Sequence, residues 1–341
     1  MTAMMRAIVC RKPHDITVEE RPIAIRAAGE VLVKICRVGI CGTDYHIYEG
    51  LHPFLEYPRT IGHELSAIVE EAPEASKFNQ GQLVVVNPYI ACGECHACRN
   101  EKPNCCMRIV VLGVHCDGGM CEWMSLPEGN LIPADGLTAD EAASVEFLAI
   151  GAHAVRRSAV MPKTRVLIIG AGPIGLGAAL FAYIAGGQVT IMDRDAERLI
   201  LACSATGIEA NVLADDRAPE VVAQLTQGNG FNVVFDATGN KASMENSFSY
   251  VAHGGCYVMV GLVKDAITFF DPDFHKREMT LMASRNATIQ DFEQVISAIK
   301  TRKIHISKLI THRTSLSKVS IDLPLWARQK IGLIKAVVEI D

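Results

Sequence analysis

Four cysteines fall within fifteen residues, in the order Cys92-x2-Cys95-x2-Cys98-x7-Cys106. Soft thiolates at that spacing suit one tetrahedral zinc with no open position, which is a structural rather than a reactive metal. Gly93 and the Pro103-Asn104 step lie among them, where a chain that folds back on a metal needs turns. A second set is more dispersed: Cys41 in Cys41-Gly42-Thr43-Asp44-Tyr45-His46, then Gly62-His63-Glu64, and Glu146 far downstream. One thiolate, one imidazole and a carboxylate make three protein ligands with a fourth position open, the arrangement of a zinc that does chemistry. Taken singly, Cys41 also reads as a small core residue and His63 as a satisfied core histidine.

The third chemical motif is Gly170-Ala171-Gly172-Pro173-Ile174-Gly175, followed 18 positions after Gly175 by Asp193. A strand is expected just before it and a helix just after, which gives the motif a meaning that a bare GxGxxG lacks. Gly170 permits the tight turn and Gly172 lets backbone N–H groups approach a pyrophosphate at the helix N-terminus. Gly175 lets the helix pack close to the sheet. Asp193, ending the next strand, accepts ribose hydroxyls and repels a 2′-phosphate, so NAD is expected over NADP; a guanidinium at Arg194 is the feature that weighs the other way.

The elements that must position these residues change texture near residue 150. Before it, short β-rich runs (residues 31–38, 65–70 and 83–86) alternate with Gly, Pro and charged turns, as in a compact antiparallel or barrel-like body. Beyond it, residues 166–169, 189–192, 233–235 and 257–260 read as buried parallel strands, and 173–185 and 196–205 as helices between them. That alternation predicts a doubly wound parallel sheet.

Composition sets the outer limits. The 341 residues suit about two domains, and 49% hydrophobic with 21% charged residues gives ample core. A net charge of −5 supplies no basic stripe, so nucleic acid is not an expected partner. No apolar run approaches the ~20 residues of a membrane span. The first ten residues are interrupted by Arg6, so no export leader is expected, and a cytoplasmic protein with reduced thiols follows. The cysteines outside the two candidate metal sets (Cys10, Cys36, Cys105, Cys116, Cys121, Cys203 and Cys256) are expected to be small buried hydrophobes, with Cys105 adjacent to Cys106 and able to compete with it.

Together Gly39-Ile40-Cys41-Gly42-Thr43-Asp44, Gly62-His63-Glu64, the four-cysteine lobe, Gly113-Val114-His115 with Asp117-Gly118-Gly119, and Gly170-x-Gly172-x-x-Gly175 resemble the zinc-dependent medium-chain alcohol dehydrogenase family. The similarity is to the sorbitol dehydrogenase-like branch, nearest the sugar-acid enzymes such as L-galactonate 5-dehydrogenases. It implies a two-domain α/β fold: a GroES-like β-rich catalytic domain from residues 1–150 and 288–341, and a Rossmann-like NAD-binding domain over 151–287. It also implies two zincs per chain. Cys41, His63 and Glu64, with Glu146 binding directly or through water, would hold the catalytic one, and the four clustered cysteines the other. Thr43 and His46 match a proton relay, and Arg285 matches an arginine that contacts substrate. The family usually has proline after the glutamate; Phe147 stands there, a departure expected to shift the end of a strand carrying Glu146.

The resemblance further implies hydride transfer between NAD and a secondary alcohol of a sugar acid, with His115, His275 and Lys276 as weaker substrate candidates. Polyols and L-threonine are the alternative substrates, and a catalytically silent NAD- or zinc-binding regulator is the alternative of another class. A homo-oligomer, dimer or tetramer, is expected.

Overall fold

The computed structural model describes residues 3–52 and 55–340. Met1, Thr2 and Asp341, at the ends of the expected catalytic domain, and Pro53 and Phe54 lie outside the described residues. The chain divides into two compact units, Met1–Glu146 with Thr288–Asp341 and Phe147–Ala287. Residues 147–150 therefore pack with the second unit.

The first unit is built on a seven-stranded sheet. Its order is Leu131–Pro133, Leu83–Val86, Glu64–Glu71, Glu30–Ile40, Lys335–Glu339 and Ile310–Ser315, with Trp123–Pro127 also pairing along the long strand Glu30–Ile40. All pairs are antiparallel except the last two strands, which run parallel to each other. The long strand begins with strict alternation, burying Val31, Val33 and Ile35. A register shift between Ile35 and Arg37 then breaks the period, and Val38, Gly39 and Ile40 are all buried at its far end. Such a bulge re-aims the strand end, and here that end runs into Cys41.

The second unit holds a six-stranded, wholly parallel sheet ordered Asn211–Leu213, Gln188–Asp193, Arg165–Ile169, Phe231–Asp236, Val251–Met259, Thr280–Ala283. Numbered within the unit this is 3-2-1-4-5-6, the doubly wound order whose switch point lies beside the first strand. Leu167, Ile169, Val234 and Tyr257 are buried in it, as strands covered on both faces require. The expected strands and helices appear in place, as with the helices Pro173–Ile184 and Ala196–Thr206, but the strand expected at 257–260 starts six residues earlier, as Val251–Met259. No described helix is long and apolar enough to cross a membrane.

Two expectations are corrected. Glu146 does not end a strand: it sits in the first turn of the helix Val145–Arg157, because Val145-Glu146-Phe147-Leu148-Ala149 without a proline offers no reason to stop that helix. Nor are the remaining cysteines uniformly buried. Cys10 and Cys121 are, but Cys36, Cys116, Cys203 and Cys256 are half-buried and Cys105 is exposed, since the face of the strand, helix or loop that carries each one sets its environment more than thiol hydrophobicity does. All twelve thiols are free.

Candidate active site

Cys41 takes the N-cap position of the helix Gly42–Tyr48, at the end of the long strand. His63 and Glu64 come from the turn and first residue of the neighbouring strand. Asp44, fully buried, ties the two segments together: one carboxylate oxygen accepts from the Cys41 N–H at 2.8 Å and the other from the Gly62 N–H at 3.2 Å. Burial pushes the Asp44 carboxyl pKa up, against the pull of His63, the Cys41 N–H and Lys335. As a result Cys41, His63 and Glu64 present ligand atoms that all lie within 4.8 Å of one another.

The glycine-rich segment after His115 buttresses this turn. Gly119 N–H donates to the Gly62 carbonyl and Gly118 N–H to the Thr60 carbonyl, and a side chain at Gly118 would collide with Gly62 and Gly113. Asp117 accepts from the Thr60 N–H. His115 accepts from the Val111 N–H within its own loop. The motif therefore acts on the His63 turn through its backbone.

The donor set fits a zinc. His63 Nδ1, Glu64 Oε1 and Glu146 Oε2 are buried and take part in no hydrogen bond, which in a protein interior calls for another partner. Burial acts to lower the His63 pKa, but the Cys41 sulfur, Asp44 and Glu146 reverse it and hold it well above the ordinary range. So dense a negative field around one imidazole is the electrostatic setting of a cation site.

Glu146 stands apart from the group of three. Its Oε1 accepts from the buried Tyr89 hydroxyl, and burial raises its pKa to about 7. Thr43 Oγ1 lies 3.8 Å from Cys41 Sγ, and exposed His46 is three residues on along the same helix, which puts the two on one face.

The four sulfurs of Cys92, Cys95, Cys98 and Cys106 also converge within 4.8 Å. Backbone N–H groups point at them: Cys92 and Arg108 N–H at Cys106 Sγ, both 3.3 Å, and Met107 N–H at Cys95 Sγ, 3.5 Å. A backbone N–H of Glu94 and the Arg108 guanidinium draw the Cys92 thiol down to about 6. Donors aimed at sulfur stabilise thiolates, the form that binds metal. Cys105 is exposed and outside this group.

In the second unit, a cleft of about 580 Å³ opens at the carboxyl ends of the strands, lined by Gly170, Gly172, Asp193, Arg194, Thr238 and Asn240 among others. Gly170 has φ +99°, and a side chain at Gly175 would run into the Gly170 carbonyl, so both are held to glycine by shape. Gly172 caps the helix that Pro173 and Ile174 begin, with open space where a side chain would stand. Asp193 is pinned by two backbone donors, Ala171 N–H at 2.7 Å and Asp195 N–H at 3.0 Å, and each oxygen keeps a lone pair for the cleft.

Three of the expected substrate candidates lie in the second unit. Arg285 is exposed beyond the strand Thr280–Ala283 in the second unit and does not line the cleft. Lys276 and His275 end a short helix whose Phe274 packs on Phe248 and Phe269. Other side chains went unnoticed in the sequence. Asp44, Tyr89, Lys335 and Asp236 are buried polar groups, and Asp236 organises the cleft wall by accepting from Thr238, Ser243 and Ser247. A lysine opening the apolar run Lys335-Ala336-Val337-Val338, and an aspartate closing Val233-Val234-Phe235-Asp236, were the available signals.

Residues 27–136 match the family model of the alcohol dehydrogenase GroES-like domain, and residues 173–301 that of the zinc-binding dehydrogenases. The L-galactonate-5-dehydrogenase of Escherichia coli K12 is 44% identical over 338 residues, covering 98% of each chain. A sorbitol dehydrogenase of Halalkalibacterium halodurans is 31% identical, over 88% of this chain and 89% of its own. The crystal structure of an alcohol dehydrogenase from Escherichia coli CFT073, complexed with NADH, superposes with a TM-score of 0.92 at 28% identity over 99% of both chains. By its sequence and its fold, the chain belongs to the zinc-dependent medium-chain alcohol dehydrogenase family, whose members are oxidoreductases.

Proposed function

We propose that this protein is an NAD-dependent zinc dehydrogenase that oxidises a secondary alcohol of a sugar acid, of the L-galactonate type. The observation that carries the reading is the convergence of Cys41, His63 and Glu64, three ligands of three kinds within 4.8 Å, in a chain whose second unit presents a glycine turn and a pinned aspartate. The extent of the match to L-galactonate-5-dehydrogenase supports the substrate class. When bound, zinc supplies a Lewis acid that acidifies an alcohol, and NAD supplies the hydride acceptor.

The chain's own residues do the rest. Cys41, His63 and Glu64 hold the metal, and Asp44 keeps the two segments that carry them at fixed separation. Thr43, half-buried next to Cys41, would take the alcohol proton as its hydroxyl gives up its own, and His46, on the exposed side of the same helix, would receive the relayed proton and release it to solvent. Glu146, kept by Tyr89 at hydrogen-bonding distance from a phenol, is the second carboxylate available to the site. Asp193 receives the ribose hydroxyls, while the N–H groups of the Gly172–Gly175 turn face the pyrophosphate. The four clustered cysteines bind a structural zinc and take no part in the reaction. Thiolates serving as zinc ligands need a reducing surrounding, which fits a cytoplasmic location.

The test is NADH formation followed by absorbance against hexonates, polyols and L-threonine, with metal content and solution mass measured on the same preparation. Turnover of hexonates above the others is expected, in a homo-oligomer carrying two zincs per chain. Turnover of polyols alone would move the assignment to the sorbitol side of the family. Activity that survives loss of the single-thiolate zinc would refute the scheme.

A further inference from the structure

Among the described residues, Lys335 is the one Lys or Arg side chain that is buried, at 1% exposure. It opens the strand Lys335–Glu339, which pairs with the long strand so that Val337 faces Gly39. Gly39 in turn faces Glu64 on its other side. Strand residues two apart share a face, so Lys335 lies on the face of Val337, Gly39 and Glu64. Its ammonium makes an ion pair with Glu64 Oε2. Gly39 leaves the room for this: a side chain there would stand on Glu64 Oε2 and 3.0 Å from Glu64 Cβ. Three buried carboxylates, Asp44, Glu64 and Glu146, surround Cys41 and His63, and Lys335 is felt at both Asp44 and Glu146. Glu64 thus has two cationic suitors, a lysine on one side and the metal site on the other.

We propose that Lys335 is a positioning residue that competes with the metal for Glu64, so that Glu64 can leave the metal without becoming an unpaired buried charge. An uncompensated buried carboxylate is strongly unfavourable, so without Lys335 the metal alone must satisfy Glu64 and will hold it. Exchange of Glu64 against a substrate or water oxygen then depends on a lysine delivered by the last strand of the chain. This rests on the reading of Cys41, His63 and Glu64 as metal ligands.

The experiment is zinc release from the intact protein to a chromogenic chelator. The phase belonging to this site is identified by its absence in Cys41→Ser. In Lys335→Met that phase should slow by roughly tenfold, which is about 1.4 kcal/mol of added hold on the metal. In the Glu64→Gln background, Lys335→Met should change it less than about twofold, because the amide carries no charge to contest. The cobalt-substituted protein should show the same contrast in its d–d absorption, shifted by Lys335→Met alone and not in the double variant. Release that is unchanged or faster in Lys335→Met, or equally slowed with and without Glu64, overturns the proposal and leaves Lys335 a structural ion-pair partner. If Lys335→Met does not fold, Lys335→Gln is measured in its place and read the same way. A wild-type protein with one zinc per chain and no phase sensitive to Cys41→Ser overturns the metal-site reading itself, a different result from a present phase that ignores Lys335.

Discussion

Asp44→Ala isolates the clamp that brings Cys41 and His63 together. The carboxylate accepts from Cys41 N–H at 2.8 Å and from Gly62 N–H at 3.2 Å in a fully buried position. Removing it leaves two donors unsatisfied, each costing about 1–3 kcal/mol. Part of that is offset, because burying the charge was itself unfavourable, as the raised pKa shows. A net local cost of roughly 2–4 kcal/mol follows. In a two-unit chain, global unfolding need not be two-state, so the cost is best read where it falls. Hydrogen exchange by mass spectrometry should show peptides containing Cys41 and Gly62 exchanging roughly 30- to 1,000-fold faster, since each 1.4 kcal/mol is a factor of ten. Peptides from the second unit's sheet should be unaffected, and zinc retention at the single-thiolate site should fall with the same variant. Asp44→Asn keeps one acceptor and should lie between. Exchange within threefold of wild type at both segments, with zinc retained, would refute the clamp.

Gly39→Ala should displace the Glu64 carboxylate and lower kcat by at least about tenfold, whereas Gly42→Ala, which meets nothing within 4 Å, should stay within about twofold; steady-state kinetics on the two compares them. Cys106→Ser should reduce bound zinc from two to one and lower the thermal midpoint before it affects the chemical step, while Cys105→Ser should do neither; metal analysis and calorimetry decide. In zinc-stripped protein, Glu146 is held at about 7 against an ordinary 4.5, so its protonation favours the folded form. That stabilisation is complete below about 4.5 and lost as the pH rises to about 7, and Glu146→Gln should gain on wild type by about 3 kcal/mol across the interval in denaturant titrations, then run level. Asp193→Ala should raise the KM for NAD about tenfold and narrow the preference over NADP, measured on both cofactors.

Much of this molecule is legible from spacing alone. The four cysteines, Gly170 to Gly175 and the aspartate after the second strand are local in sequence, and their meaning depends on turns and periods of a few residues. The texture change near residue 150 announces a parallel sheet because buried strands are apolar throughout while half-buried ones alternate. Those signals are short-range, and the structure places them as read.

Other decisions were made by the fold. Cys41 and His63 are separated by more than twenty residues, and nothing in either neighbourhood says that Asp44 would bridge them; that required a strand end and a turn to meet. Sheet register puts Glu64 opposite Gly39, and a helix start brings Glu146 to Tyr89, two placements that neither glutamate's neighbours in sequence announce. Lys335 lies some 270 residues from Glu64 along the chain and reaches it because the last strand pairs with the long one. Which chemistries are present can be read along the chain, since ligand type, glycine turns and apolar period are properties of short stretches. Which charged groups share a buried volume depends on how distant segments pack, because desolvation and ion pairing act through space between residues far apart along the chain.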